Sequence, residues 1–347
     1  MKKLDLQTRW QPPADWRKIT TIDAHTGGEP FRVIIGGFSE LQGETILERR
    51  RFAKYNYDNL RKALMFEPRG HADMYGCILT PPVSPLADIG VLFTHNEGYS
   101  TMCGHGIIAL TKVLLDAEFF PKLKPETTLK IDTPAGLVTA HARIVNNSVE
   151  SVYFHNVPSF VVALDEIVEV PELGKVRYDL AFGGAFYGFV NAKDVGLTCL
   201  PKDFRALIEK GMQIKNAVMK SREIPHPFEK DLSFLYGTIF VDEAESPAHH
   251  SRNVCIFADG EVDRSPTGTG VSARLAIHYA RNEIKIGEPI VIESIVGSKF
   301  TGRVFAETTF GGYNAIIPEV EGTAFITGRH EFLLDPKDEF PEGFILR

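Results

Sequence analysis

Apolar and polar positions alternate along most of this chain in short runs, and Gly or Pro stops nearly every run. That punctuation predicts strands joined by tight turns. Residues 19–25 read as a strand ending at Gly27-Gly28, and residues 31–35 as a β-branched strand closed by Gly36-Gly37. Residues 44–64 are rich in helix formers, with Ile46, Leu47, Phe52 and Leu60 at roughly helical spacing, and predict one helix. Strands at 74–80 and 89–93 lead into a polar, Gly-bearing turn at 101–106 and an apolar helix over 107–115. A hairpin follows, 128–133 and 137–143 around Pro134-Ala135-Gly136, and then strands at 151–154 and 160–163. The aromatic run at 178–191 predicts two strands about Gly183-Gly184. Residues 202–215 predict a helix with Phe204, Leu207, Ile208 and Met212 on one face. Strands at 238–241 and 253–257 precede a second polar turn, 263–270, and a second apolar helix, 271–277. Strands at 290–296 and 300–305 continue the β pattern.

Strands, polar turn, apolar helix, strands: the order occurs twice, which predicts an α+β protein with a weak internal duplication. Cys103 and Thr267 hold the same place in the two turns, Cys103-Gly104-His105-Gly106 and Thr267-Gly268-Thr269-Gly270. The first N–H groups of a helix have no intrahelical acceptor, and the helix dipole adds positive potential there. Each turn is therefore a seat for an anion such as a carboxylate. Glycine-rich turns also simply permit a strand to turn tightly into a helix. One would favour that reading; a matched pair favours a site. Neither is a phosphate loop, since both lack a Gly-Lys-Ser/Thr ending. Two halves facing each other would bring both helix N-termini to a shared cleft.

Composition narrows the class. A length of 347 residues suggests two domains of ordinary size, and 44% hydrophobic with 24% charged residues is a globular composition. A net charge of -7 argues against a nucleic-acid partner. The first ten residues are charged and lack a signal peptide's apolar run, and no stretch approaches the ~20 apolar residues of a membrane span. The 4 cysteines, Cys77, Cys103, Cys199 and Cys255, are scattered without a CxxC pair. A disulfide framework or zinc site is not expected, and a cytoplasmic location is. The segments 25–30 and 69–76 bring His near Glu or Asp, but their spacings match no common metal-ligand set. They read as turns that support a site, and no metal is expected.

Cys103 is the sharpest candidate for chemistry. A thiol at a helix N-terminus has its pKa lowered, to roughly 3.5–7.5, which makes a thiolate base available. Cys77, Cys199 and Cys255 sit in or beside apolar stretches and read as structural. The backbone N–H groups of Gly104, His105, Gly268 and Thr269 form the candidate carboxylate cradle. Asp263, four residues before Thr267, is either a partner for a substrate ammonium or a cap on the following turn. Arg264 reads as a structural partner for nearby carboxylates, and Phe182, Phe186 and Tyr187 as core residues more than cleft lining. A cysteine-protease reading lacks an assigned His base and oxyanion hole.

These two turns, with the segments 25–30, 69–76 and 319–328, resemble the proline racemase family, which shares its fold with diaminopimelate epimerase. The resemblance runs from about Ile19 to Phe344. It implies two pseudo-symmetric domains, each a mixed or antiparallel sheet wrapped round a central helix, with the active site in the cleft between them. The expected divisions are an N-terminal arm over 1–17, a first domain of 18–158 plus about 312–347, and a second of 159–311. It also implies that Asp263 contacts the substrate amine and that no metal, pyridoxal phosphate or nucleotide is needed. The family carries Cys in both turns, whereas here the second is Thr267. A Thr hydroxyl stays protonated and is a poor acid, so it cannot serve as the second acid/base. Racemisation should be lost while proton abstraction by Cys103 survives.

That substitution points to the branch of the family that dehydrates trans-3-hydroxy-L-proline to Δ1-pyrroline-2-carboxylate. In this substrate the hydroxyl lies on the face of the α-hydrogen. Cys103 could therefore take the proton and protonate the departing hydroxyl, alone or with His105 or a bound water as relay. Two alternatives stay open. One is a proline racemase or 4-hydroxyproline 2-epimerase with an unassigned second acid. The other is a non-catalytic amino-acid binding protein, which would have no use for a thiolate. The expected partner is a small hydroxylated proline, not a nucleic acid or membrane; a homodimer is compatible with the resemblance.

Overall fold

The computed structural model describes residues 10–346. Residues 1–9 of the expected arm lie outside the described residues; within the rest of it, the rings of Trp10 and Trp16 meet edge to face at 5.9 Å. Strand β1 (Arg17–Thr26) and β2 (Glu29–Gly36) form a hairpin through Gly27 and Gly28, both at positive φ. Two helices follow, α1 (Ile46–Asn56) and α2 (Asp58–Met65), where one was expected. A capping box of Thr45 and Glu48 starts α1, and the backbone breaks at Tyr57 (φ -136, ψ 18). The break re-aims the second helix: α1 buries only Ile46 and Ala53, while α2 turns Leu60, Ala63, Leu64 and Met65 inward.

The first half continues with β3 (Tyr75–Thr80), β4 (Ile89–His95), the short β5 (Gly98–Tyr99), α3 (Gly104–Asp116), β6 (Glu126–Thr133), β7 (Gly136–Val145) and β8 (Ser148–His155). Strands β2 and β3 pair in parallel across α1 and α2, β3 and β4 are antiparallel, and β4 and β6 are parallel across α3. The strands β6, β7 and β8 form an antiparallel meander.

The second half comprises β9 (Ser159–Val170), β10 (Gly174–Phe182), β11 (Phe186–Asn191), α4 (Phe204–Ser221), β12 (Leu235–Asp242), β13 (Ser251–Phe257), β14 (Glu261–Val262), α5 (Gly268–Ala280), β15 (Ile290–Glu293), β16 (Lys299–Phe310), β17 (Tyr313–Gly322) and β18 (Ala324–Leu334). Its pairings repeat those of the first half. Strands β10 and β11 are antiparallel, β11 and β12 parallel across α4, β12 and β13 antiparallel, and β13 and β15 parallel across α5. A meander of β15, β16 and β17 follows.

Closure comes from the strands that sequence patterning leaves unpaired. β17 pairs with β9, which pairs with β10, so the second half closes on itself. The C-terminal end of β17 also pairs with β8, and β18 continues from it onto β1. Helix α3 packs against β1, β2, β7, β8, β17 and β18, and α5 against β9, β10, β16 and β17. Both helices are apolar almost all round and are buried, as Ile107, Ile108, Leu110, Val113 and Leu114 show in α3. No helix among the described residues is long and apolar enough to cross a membrane.

Candidate active site

The N-termini of α3 and α5 meet head to head. A Cβ built on Gly104 would stand 2.5 Å from the Gly268 Cα, and one on Gly268 would stand 2.7 Å from the Gly104 Cα. Glycine is required at both positions by the approach of the two backbones. The meeting point opens onto a cavity of about 20 Å³, room for one water, lined by Cys103, Gly104, His105, Asp263, Thr267, Gly268 and Thr269. Every site residue expected from the sequence is thus brought to one wall or another of the same small space. A larger hollow of about 870 Å³ beside Tyr279 and Glu307 holds none of them.

Cys103 caps α3 from an extended backbone (φ -143, ψ 105), and its sulfur accepts the Gly106 N–H at 3.2 Å. The His105 ring lies alongside, with Nδ1 3.3 Å and Nε2 3.6 Å from the sulfur. Burial pushes the thiol well above its ordinary value; the Gly106 N–H and the Tyr75 hydroxyl pull it down, and the charges of Asp263 and Glu29 push it further up. The direction is opposite to the one expected from a helix N-terminus. That expectation holds for a partly exposed thiol, and Cys103 is only 4% exposed, so desolvation outweighs the donors. Burial also holds His105 neutral, with its pKa lowered to about 3.

Thr267 caps α5 at φ 65, ψ 95, a region that a β-branched residue enters only at a cost of about 1–3 kcal/mol. Its N–H donates to Ser265 Oγ at 3.1 Å. Its hydroxyl is buried beside Asp263 and Cys255 and favours the ionised form of each. Of the two readings of Asp263, the turn cap is observed. One oxygen caps the turn by accepting the Ser265 N–H at 2.7 Å, and the other faces the cavity 4.0 Å from His105 Nδ1. Burial raises its pKa to about 6 against the opposing hydrogen bonds from Ser265 and Thr267.

The supporting segments reach across to this turn. Arg264 pairs with Asp73 at 2.6 Å, and its N–H donates at 2.7 Å to Glu29, a fully buried carboxyl whose pKa is raised by desolvation. Sequence reasoning did not single out five of the residues that line the cavity: Tyr75, Met102, Tyr236, Cys255 and Phe257. Cys255 read as structural because it sits in the apolar run 254–257, yet it lines the cavity beside Thr267. Tyr187 also lines the cavity, its hydroxyl 2.7 Å from Thr269 Oγ1, whereas Phe182 and Phe186 pack with Phe160 in the core. No three His, Cys, Asp or Glu side chains among the described residues are arranged to hold a metal ion.

Two facing helix N-termini, one tipped with a thiol, define a site for a small carboxylate with proton chemistry at the carbon next to it. The chain belongs to the proline racemase family, whose pattern matches residues 21–345. It is 48% identical to a trans-3-hydroxy-L-proline dehydratase of Colwellia psychrerythraea over 98% of this chain and 96% of the relative. It is 44% identical to a 3-hydroxyproline 2-epimerase of Burkholderia multivorans over 95% of this chain and 99% of the relative. The crystal structure of a hydroxyproline epimerase from Agrobacterium vitis, with bound trans-4-hydroxy-L-proline, superposes with a TM-score of 0.91 at 34% identity and covers 96% of each chain.

Proposed function

We infer that this protein dehydrates trans-3-hydroxy-L-proline to Δ1-pyrroline-2-carboxylate and water. The observation that carries this reading is a one-sided site: a thiol at the tip of α3 and a Thr in the matching place at the tip of α5. The substrate carboxylate sits on the N–H groups of Gly104, His105, Gly268 and Thr269, each charge-assisted bond contributing about 1.5–3 kcal/mol. The ring ammonium faces Asp263, with His105 on its other flank. That incoming positive charge offsets the desolvation of Cys103 and favours the thiolate, which removes the α-proton. With no acid of suitable strength on the Thr267 face, the electron pair left at Cα expels the hydroxyl at C3 on the Cys103 face. The enamine so formed tautomerises to the imine.

The repeated pairing of the strands supports the division into two pseudo-symmetric domains, 18–158 plus about 312–347 and 159–311, each a sheet wrapped round α3 or α5. The substrate enters when the domains part. A cytoplasmic location and a homodimer are part of the same reading.

A second reading, Cα epimerisation, has one observation in its favour: the Cys255 thiol beside the Thr267 hydroxyl on the face that otherwise lacks an acid. Its raised pKa makes it a weak donor. One assay separates the readings. The purified protein is incubated with trans-3-hydroxy-L-proline, L-proline and trans-4-hydroxy-L-proline without added cofactor, and imine and optical rotation are followed separately. Imine from the first substrate alone is expected. A change of rotation in the other two would assign the epimerase, and neither signal would leave a binding protein.

A further inference from the structure

Dehydration needs a proton for the departing hydroxide, and the thiol that has just taken the α-proton must be restored to thiolate. Three phenols line the cavity, and their hydrogen bonds divide them. The Tyr187 hydroxyl is held by Thr269 Oγ1 at 2.7 Å, on the α5 side. The Tyr236 hydroxyl meets Tyr75 at 3.3 Å. Tyr75 meets His105, whose ring touches the Cys103 sulfur, at 4.9 Å and lines the cavity beside both. Its hydroxyl donates to Ser100 Oγ at 2.5 Å, so it stands in a chain from Tyr236 through Tyr75 to Ser100, which leads into the Cys103 turn.

The ring is fixed. It stacks on His95 at 5.6 Å, meets the edge of His105 at 4.9 Å and packs against Phe31 and Phe257. Residue 75 is the first of β3, and the parallel pairing of β3 with β2 sets its position at the cavity. His105 is the rival relay, but its Nδ1 faces Asp263 as well as the sulfur. It is placed for the substrate nitrogen.

We propose that Tyr75 is the catalytic residue that carries the proton from Cys103 to the leaving hydroxyl. This deepens the dehydratase reading and rests on it. The thiolate of Cys103 takes the α-proton, the C–H electron pair becomes the C2–C3 double bond, and the C3–O bond breaks with its pair on oxygen. The Tyr75 O–H proton passes to that oxygen to make water. The Cys103 S–H proton passes to the phenol oxygen in the same movement, so Tyr75 ends protonated and Cys103 ends as thiolate. No net proton enters or leaves, and neither does any oxidant or reductant. The phenol never needs to persist as phenolate, in keeping with its burial. Its direction of donation turns from Ser100 toward the substrate when the 3-hydroxyl arrives.

Tyr75→Phe tests the step against two reactions that need a base but no acid. The first is exchange of the L-proline α-hydrogen with deuterated water. The second is loss of chloride from trans-3-chloro-L-proline, since chloride departs without a proton. In Tyr75→Phe, water loss from trans-3-hydroxy-L-proline should fall about 100-fold or more. α-Exchange and chloride loss, which need no acid, should fall by no more than about tenfold, the loss expected when one ordinary hydrogen bond in the site is removed. A parallel fall of all three would overturn the proposal, because Tyr75 would then act through Cys103 or through folding alone. So would unchanged water loss. If the unmodified protein makes no imine from the hydroxyproline, it is the dehydratase reading that fails.

Discussion

Asp263 closes its own turn and faces the cavity, and the two duties meet in its ionisation. Burial raises its pKa to about 6, so in the free protein it is protonated below that pH and offers a substrate ammonium no countercharge. kcat/KM should therefore rise with pH through about 6 and then level, while in kcat the same limb should shift lower because the bound ammonium favours the carboxylate. Asp263→Asn should remove the limb and cost about 100-fold in kcat/KM. The stability effect has the opposite sign. A carboxyl whose folded pKa is raised costs nothing below its unfolded value and carries its full cost above the folded one, here roughly 2–3 kcal/mol above pH 6. The Asn variant should melt at or above the parent temperature at pH 8. A bell without an acid limb near 6, or a destabilised Asn variant, would contradict this account. The identities of Cys103, Thr267 and Asp263 were legible because the two turns are local patterns. The ionisation of Cys103 was not, since desolvation depends on what the rest of the chain packs over the turn.

At the scale of elements, the contact between α3 and α5 is the feature that most needs its sequence. A Cβ on Gly104 meets Gly268 backbone at 2.5 Å, and neither helix end can yield without the other moving. Gly104→Ala should cost about 1–3 kcal/mol in stability, as overpacking does, and should lower kcat by far more than that loss explains. Gly188→Ala is the control, because a Cβ there meets nothing nearer than Tyr178 at 3.9 Å. Thermal melts and steady-state rates on the two variants check it; equal behaviour would sink the argument. Helices α3 and α5 were readable from apolar runs opened by polar turns. The break at Tyr57 was not, because helix formers continue through it and only the packing of α2 demands a new direction. Tyr75 escaped for a related reason. It sits in an ordinary apolar strand, and nothing local says that the pairing of this strand will set its ring at the cavity.

The molecule as a whole is a duplicated plan with an unequal centre. The order of elements betrayed the duplication, but not the closures of β17 onto β9 and of β18 onto β1, which join residues far apart in the chain. Those closures hold two equivalent helix ends against one another, and the chain then places a thiol on one and a hydroxyl on the other. Cys103 and Thr267 are 4% and 5% exposed; in the proposed reaction a bound ring has one face toward each. Chemistry is then possible on one face only. In trans-3-hydroxy-L-proline the α-hydrogen and the hydroxyl share that face; in cis-3-hydroxy-L-proline the hydroxyl points toward Thr267. The most direct measurement is the initial rate of imine formation from the two isomers, side by side, with Cys103→Ala as the reference. The account predicts turnover of the trans isomer, at least about 100-fold less from the cis isomer, and none from Cys103→Ala. Equal rates for the two isomers, or undiminished imine from Cys103→Ala, would contradict it.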